Sequence, residues 1–171
     1  MNLLEEPPDH GIGRSRGGLT TRIHHLCDGK MRPLVMLLGP GQGGDSPMFP
    51  HLLDSLSAPR LGPGWDRSRP DPALADKAYS SKANRELLRR CGIQAVIPER
   101  SVQEANRKRR SRPVGLDKEA YKRRNVAERS FNIFKQMAWP RHRDDKPALT
   151  YRGGVVLRAI TICLKELGDM P

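Results

Sequence analysis

The stretch from Leu19 to Pro40 limits the possible folds more than any other part of the chain. LTTRIHHLC (Leu19 to Cys27) is rich in β-branched and apolar residues, Asp28-Gly29 follows, and MRPLVMLLGP (Met31 to Pro40) returns. Two such runs joined by Asp-Gly predict a β-hairpin, because both turn centres tolerate positive φ. Pro33 offers no N–H to a ladder, so it marks an edge or irregular position in the second strand. Residues 1 to 18 are broken by Pro7, Pro8, Gly11, Gly13, Gly17 and Gly18 and read as irregular.

Strand and helix patterns then alternate. GPGQGGDSP is a loop, Asp45 is placed to cap a short helix, and Ser46-Pro47 opens that helix, which runs to Leu56. Leu61 to Pro72 is a second loop dense in Pro and Gly. ALAD (Ala73 to Asp76) predicts a short buried strand ending in a carboxylate. Ser80 or Ser81 caps the helix KANRELLRRC, and Gly92 stops it. IQAVIP (Ile93 to Pro98) is a strand, and 99 to 116 is a polar loop. A long helix runs from Asp117, its N-cap, to Met137, and a last apolar helix from Tyr151 to Leu167. This order predicts an α/β fold with a mixed sheet flanked by helices. There is no internal repeat.

The 171 residues suit one domain and carry 31 Lys and Arg against 19 Asp and Glu, a formal charge of +12. That balance predicts a polyanionic partner, most simply nucleic acid. Cys27, Cys91 and Cys163 lie far apart, which disfavours a zinc cluster or a disulfide framework and predicts reduced, buried thiols in the cytoplasm. The most apolar run, Val155 to Leu164, is short and holds Arg158, so no membrane span is expected. The acidic start MNLLEEPPDH lacks the apolar core of a secretion signal.

Two places carry candidate chemistry. Asp76, at the end of a buried strand, points toward the crevice where α/β sheets bind ligands. Alternatively it is a loop Asp that binds nearby backbone amides. On a continuous helix, Tyr121, Arg124, Glu128 and Lys135 fall within about 60° of one another, beside the face of Phe131 and Phe134. Arg124 and Glu128 are also an ordinary i, i+4 ion pair. Two carboxylates, Asp76 and Glu128, suit Mg²⁺ (or Mn²⁺), a hard cation that takes oxygen ligands. Arg124 and Lys135 beside them suit phosphate. RKRRSR (Arg107, Lys108, Arg109, Arg110 and Arg112 among its six residues) reads as a mobile arm on the DNA backbone, joined by Arg14, Arg16 and Arg22. His24 and His25 are adjacent on a strand, face opposite sides and make a poor metal pair. Trp139 either stacks on a base or packs against the last helix, and WPRHR after the long helix is a further DNA contact.

The spacing Tyr121-x₂-Arg124-x₃-Glu128-x₆-Lys135 resembles the Tyr-Arg-Glu-Lys signature of bacterial insertion-sequence transposases of families four and five. GRSRGGLTTRIHHLCDGKMRPL, PGQGGDSP and LADKAYSSKANRELLRRCGIQAVIPE are similar to successive blocks of the same family. The resemblance spans about residues 11 to 165. It implies a ribonuclease-H-like fold of the DDE superfamily, with Asp76 as second and Glu128 as third catalytic and metal-binding acid. It implies double-stranded DNA partners at transposon terminal repeats, with cleavage by activated water and strand transfer from a 3′-hydroxyl.

The first acid of that family lies on a central strand upstream of GRSRGGLTT. Here Glu5, Glu6 and Asp9 sit in no strand pattern, and Asp28 and Asp45 read as turn and cap residues. The expectation is therefore a partial catalytic domain over 11–167, with a non-homologous or disordered segment at 1–10 and a tail at 168–171. It lacks the first, central strand and is inactive alone. A homo-oligomer or a polypeptide from an upstream frame is the expected complement, and the nucleoid in the cytoplasm the expected place. The competing expectation is a non-catalytic basic DNA-binding remnant that interferes with an intact transposase. A structure-specific nuclease on the same fold is a third.

Overall fold

The computed structural model describes residues 7–16, 18–60, 62–111, 116–135 and 147–168. They belong to two units, 1–44 with 126–171, and 45–125. The chain is mixed α/β.

In the first unit the expected hairpin forms from β2 (Gly18–Cys27) and β3 (Pro33–Pro40), antiparallel with Thr21 opposite Pro40. Its turn differs from the two-residue Asp-Gly turn expected. The connection runs from Asp28 to Arg32, and the positive φ falls on Met31 (69°), not on Asp28 or Gly29. The Asp28 carboxylate explains why. Its Oδ1 accepts from Lys30 N (2.8 Å) and Arg32 N (2.9 Å), and Oδ2 accepts from Arg32 Nε (2.6 Å). A short acidic side chain thus replaces the backbone bonds of a tighter turn. Pro33 opens β3, where the missing N–H costs least. β1 (Gly13–Ser15) adds to the start of β2, so the sheet order is β1-β2-β3.

Two helices of this unit, α5 (Asn125–Lys135) and α6 (Ala148–Gly168), bury apolar residues with the sheet. Met36, Phe134, Tyr151, Val155 and Ile162 form the core, with Ile23, Leu38 and Ile133 against it. Buried Arg158 of α6 donates to Ile133 O (2.8 Å) and so ties α6 to α5. Ser130, 1% exposed, ties α5 to the hairpin. Its hydroxyl donates to Met31 O (2.7 Å) and lies 3.2 Å from His25 Nε2. One hydroxyl has one proton, so His25 Nε2–H is the donor in the second contact.

The second unit is built on a parallel pair, β4 (Pro72–Leu74) and β5 (Gln94–Val96), linked through α2 (Lys82–Arg90). Phe49 and Leu53 of α1 (Asp45–Asp54) pack with Leu88, Ile93 and Ile97. Ser81 caps α2 by accepting from Asn84 N (3.1 Å), and Gly92 ends the turn after it with φ +69°. The buried Asn84 amide donates to Ser46 Oγ (3.0 Å) and Tyr79 O (3.1 Å), joining α1 to α2.

Four expectations need correction. The segment 99 to 116 is not all loop, since α3 (Ser101–Arg109) occupies half of it. It has no internal Gly or Pro, and Gln103 Oε1 accepts from Arg100 N (3.0 Å) at its start. The long helix from Asp117 to Met137 is two helices. α4 (Lys118–Lys122) is capped by Asp117, as expected, but closes with Arg123 N→Ala120 O and Arg124 N→Tyr121 O bonds before α5 begins. These i→i−3 bonds tighten and end a helix. ALAD is half-buried and is a strand only to Leu74, two residues short of Asp76. The three cysteines are free but half-buried. No helix among the described residues is long and apolar enough to cross a membrane.

Burial lowers the His25 pKa from 6.5 to about 4. Between those values the unfolded chain binds more protons than the folded one. The contribution is therefore complete above 6.5 and is lost as pH falls toward 4. Denaturant unfolding at about pH 4.5 is expected to show stability lower by up to about 3 kcal/mol than at about pH 7 from this group. His25→Gln should flatten that slope, and an unchanged slope would exclude His25 as its source.

Candidate functional site

Asp76 follows β4 after a one-residue gap and opens a 3₁₀ turn, Lys77–Tyr79. Its backbone is extended (φ −70°, ψ 162°), and its Oδ1 accepts from Ala78 N (2.5 Å). One oxygen therefore fixes the turn, as in the alternative reading of this residue. The side chain is exposed, and its second oxygen has no partner among the described residues.

Side chains from α2 and α3 hold this turn by its carbonyls. Arg100 donates from Nε to Lys77 O (3.1 Å) and from Nη2 to Ala78 O (2.6 Å). Gln103 donates to Ser80 O (2.5 Å), and its Oε1 accepts from the buried Ser80 hydroxyl (2.7 Å). Arg85 donates to Ser80 Oγ (2.8 Å) and to Ile97 O (2.8 Å), spanning from the turn to the residue after β5. Arg100, Gln103 and Arg85 were not candidates from the sequence. The one local sign was Gln103 at the third position of a helix, a place from which it reaches back to the cap.

Glu128 is exposed on α5, and Lys135, seven residues on, returns to nearly the same side of that helix. The Lys135 side chain lies outside the described residues. Tyr121 belongs to α4 and Arg124 to the turn after it, so the four do not share one face of one helix as expected. Tyr121 and Arg124 pair with each other instead, the guanidinium 5.4 Å above the ring, a cation–π contact. Asp76, Tyr121 and Arg124 belong to the 45–125 unit, and Glu128 and Lys135 to the other.

Arg107, Lys108 and Arg109 lie in α3, not in an irregular arm. Arg107 is bound to Glu99 (2.7 Å) and only 15% of its side chain is exposed. Lys108 pairs with Glu104 (2.8 Å), whose carboxyl that ammonium holds below the usual range. Arg109 and Arg110 are exposed at the end of α3, and Arg14 and Arg16 are exposed near β1. Arg112, Trp139 and the rest of WPRHR lie outside the described residues. Arg22 donates to Gly43 O (2.8 Å). His24 is buried, while His25 turns to Ser130.

Among the described residues no three His, Cys, Asp or Glu side chains cluster as a metal cage. The exposed second oxygen of Asp76 is the right donor type for Mg²⁺, but it is one ligand where six are needed.

The family model described as a transposase DDE domain matches residues 4–151. No curated relative and no solved structure matches the chain.

Arg100→Leu would remove the donors to Lys77 O and Ala78 O. Hydrogen exchange at Ala78 N–H is expected to quicken roughly fivefold to tenfold, from about 1 kcal/mol of lost hydrogen bonding, with Leu88 N–H unchanged. Unchanged exchange at Ala78 would show that Arg100 does not hold the turn.

Proposed function

The chain belongs to the DDE transposase family, and on that premise we propose that it serves DNA transposition as a strand-transfer domain of insertion-sequence families four and five. The observation that carries this reading is the exposed Asp76 carboxylate, presented on a turn that Arg100, Gln103 and Arg85 fix by its backbone.

Asp76 and Glu128 are the proposed catalytic acids and ligands of Mg²⁺ (or Mn²⁺). The ion supplies charge stabilisation to the phosphodiester and to the attacking and leaving oxygens. Arg124 and Lys135 face the phosphates, and Tyr121 fixes the Arg124 guanidinium through its ring. In the first step a water oxygen attacks phosphorus and the 3′-oxygen leaves with a proton. In the second that 3′-hydroxyl attacks a phosphodiester of the target DNA, and a new 3′-oxygen leaves. Arg109, Arg110, Arg14 and Arg16 neutralise backbone phosphates, which lends affinity without base readout. Lys108 and Arg107 contribute less, because acids of the chain already face them.

A third acid is the missing part of this reading. Asp9 Oδ1 accepts from Gly11 N (2.9 Å) in a turn, Asp28 holds the hairpin loop, and Asp45 opens α1. None of them is a strand carboxylate. The proposal therefore includes a first Asp supplied from outside the described residues, by a complementing polypeptide. The second reading, a non-catalytic DNA-binding protein, draws on the same exposed cations.

The test is Mg²⁺-dependent nicking of terminal-repeat DNA. The chain alone is expected to bind with strong salt dependence and not to cut. A complementing polypeptide with a strand Asp should restore nicking. Glu128→Ala and Asp76→Asn should lower restored nicking by about 100-fold or more while leaving DNA affinity within about twofold. Nicking by the chain that neither substitution affects would overturn the assignment. Binding without nicking under every complement would favour the second reading.

A further inference from the structure

Trp65 is 93% exposed, and no other large apolar residue among those described passes 73%. Single apolar side chains on a surface are ordinary. Trp65 differs because the backbone beside it is fixed. Ala58 N donates to Arg67 O (3.0 Å) and Arg67 N to Ala58 O (2.8 Å), a two-bond bridge that closes the loop holding the indole. The Ser57 hydroxyl donates to Asp66 Oδ2 (2.7 Å), which pins the residue after Trp65. Gly64, the residue before it, takes a φ of +129° that glycine alone adopts readily. Among the described residues no ring and no cation stacks on the indole.

The acids of this segment are already engaged. Asp66 accepts from Ser57, and Asp71 accepts from Arg67 Nη2 (2.6 Å). Arg60 and Arg69 are exposed, and neither pairs with a carboxylate among the described residues. The Arg60 guanidinium passes beside Gly64, its Nη1 4.0 Å from where a Cβ would stand, one residue from the indole. An open aromatic ring and two uncompensated cations therefore share one short segment. Asp71 leads into β4 and Asp76 follows its other end, so the segment joins β4 at the end away from the candidate acid.

We propose that Trp65 is a platform on which an unpaired DNA base stacks, with Arg60 and Arg69 on the flanking phosphates. The proposal rests on DNA as the ligand, which the family implies, and adds a nucleotide site apart from the Asp76 turn. One ring face meets another ring face and reads no base edge, so the contact tolerates any sequence. Inside a duplex both faces of a base are covered by its neighbours, so a frayed or single-stranded nucleotide is the form that fits. Gly64 and Asp66 beside the indole supply no second large apolar side chain, which suits one planar base better than the apolar centre of a protein interface. The closed loop presents the ring before the nucleotide arrives, and this lowers the ordering cost of binding.

The test is titration of the full chain with oligothymidylate of about ten nucleotides, read by tryptophan emission and by anisotropy of a labelled strand. Binding is expected to quench emission in the chain and far less in Trp65→Phe. Trp65→Ala should weaken single-strand binding at least about fivefold, and Trp65→Phe by less. Neither should change the slope of log Kd against log salt, because a stacked ring releases no counterions. Arg60→Ala should lower that slope by about 0.7. On a duplex closed by hairpins at both ends, Trp65→Ala should stay within about twofold of the chain. The indole lies outside both cores, so these substitutions leave the packing intact. Single-strand binding indifferent to Trp65→Ala, or an equal loss on duplex and single strand, would overturn this proposal and leave the DNA reading standing. Absence of binding to any oligonucleotide would overturn both.

Discussion

A buried hydroxyl has to find partners, and both candidate acids stand next to one. Ser80 and Ser130 are each 1% exposed. Leaving either without a hydrogen bond would cost about 1–3 kcal/mol. Ser80 meets that demand by bringing Gln103 and Arg85 to the turn that Asp76 opens. Ser130 meets it by bringing Met31 and His25 of the hairpin to the helix that bears Glu128. In each unit a long-range polar contact, rather than apolar packing alone, sets where the exposed carboxylate is displayed.

Local chemistry was legible in the sequence wherever a single residue settles the geometry. Asp117 and Ser81 cap their helices as their residue types require, and Gly92 takes the positive φ that stops α2. Asp28 was legible as a turn residue, yet its reach to Arg32 lengthened the loop beyond what Asp-Gly alone implies. The failures share a cause. Composition made 99 to 116 look like solvated loop, but helix propensity and the Glu104–Lys108 pair favour α3. The periodic pattern after Asp117 runs on past Lys122, while the backbone closes there with shorter-range bonds. Periodicity records which side chains are apolar and does not report where hydrogen bonding changes step.

The site was legible as a set of residue types and spacings, not as an arrangement. Tyr121, Arg124, Glu128 and Lys135 keep their sequence spacing on two helices and a turn. The residues that hold the Asp76 turn come from 9 to 27 positions downstream, carried there by the parallel β4–β5 pair and its crossing helix. Such contacts have no signature in a single sequence. Net charge was likewise only partly informative, because Arg22, Arg85, Arg100 and Arg158 spend their guanidinium groups on backbone carbonyls of the same chain.

Arg158 carries a consequence of its own. It is a cation in the apolar side of α6, 9% exposed, with Ile133 O as its acceptor. Sliding α6 along its axis by one residue would rotate that cation by about 100° and leave the carbonyl behind. Moving it by a full turn would carry the guanidinium away from Ile133 O and leave a buried cation without that acceptor. The guanidinium thus works as an index pin: leucines and valines alone would tolerate several alignments of α5 and α6, and this one group admits a single alignment.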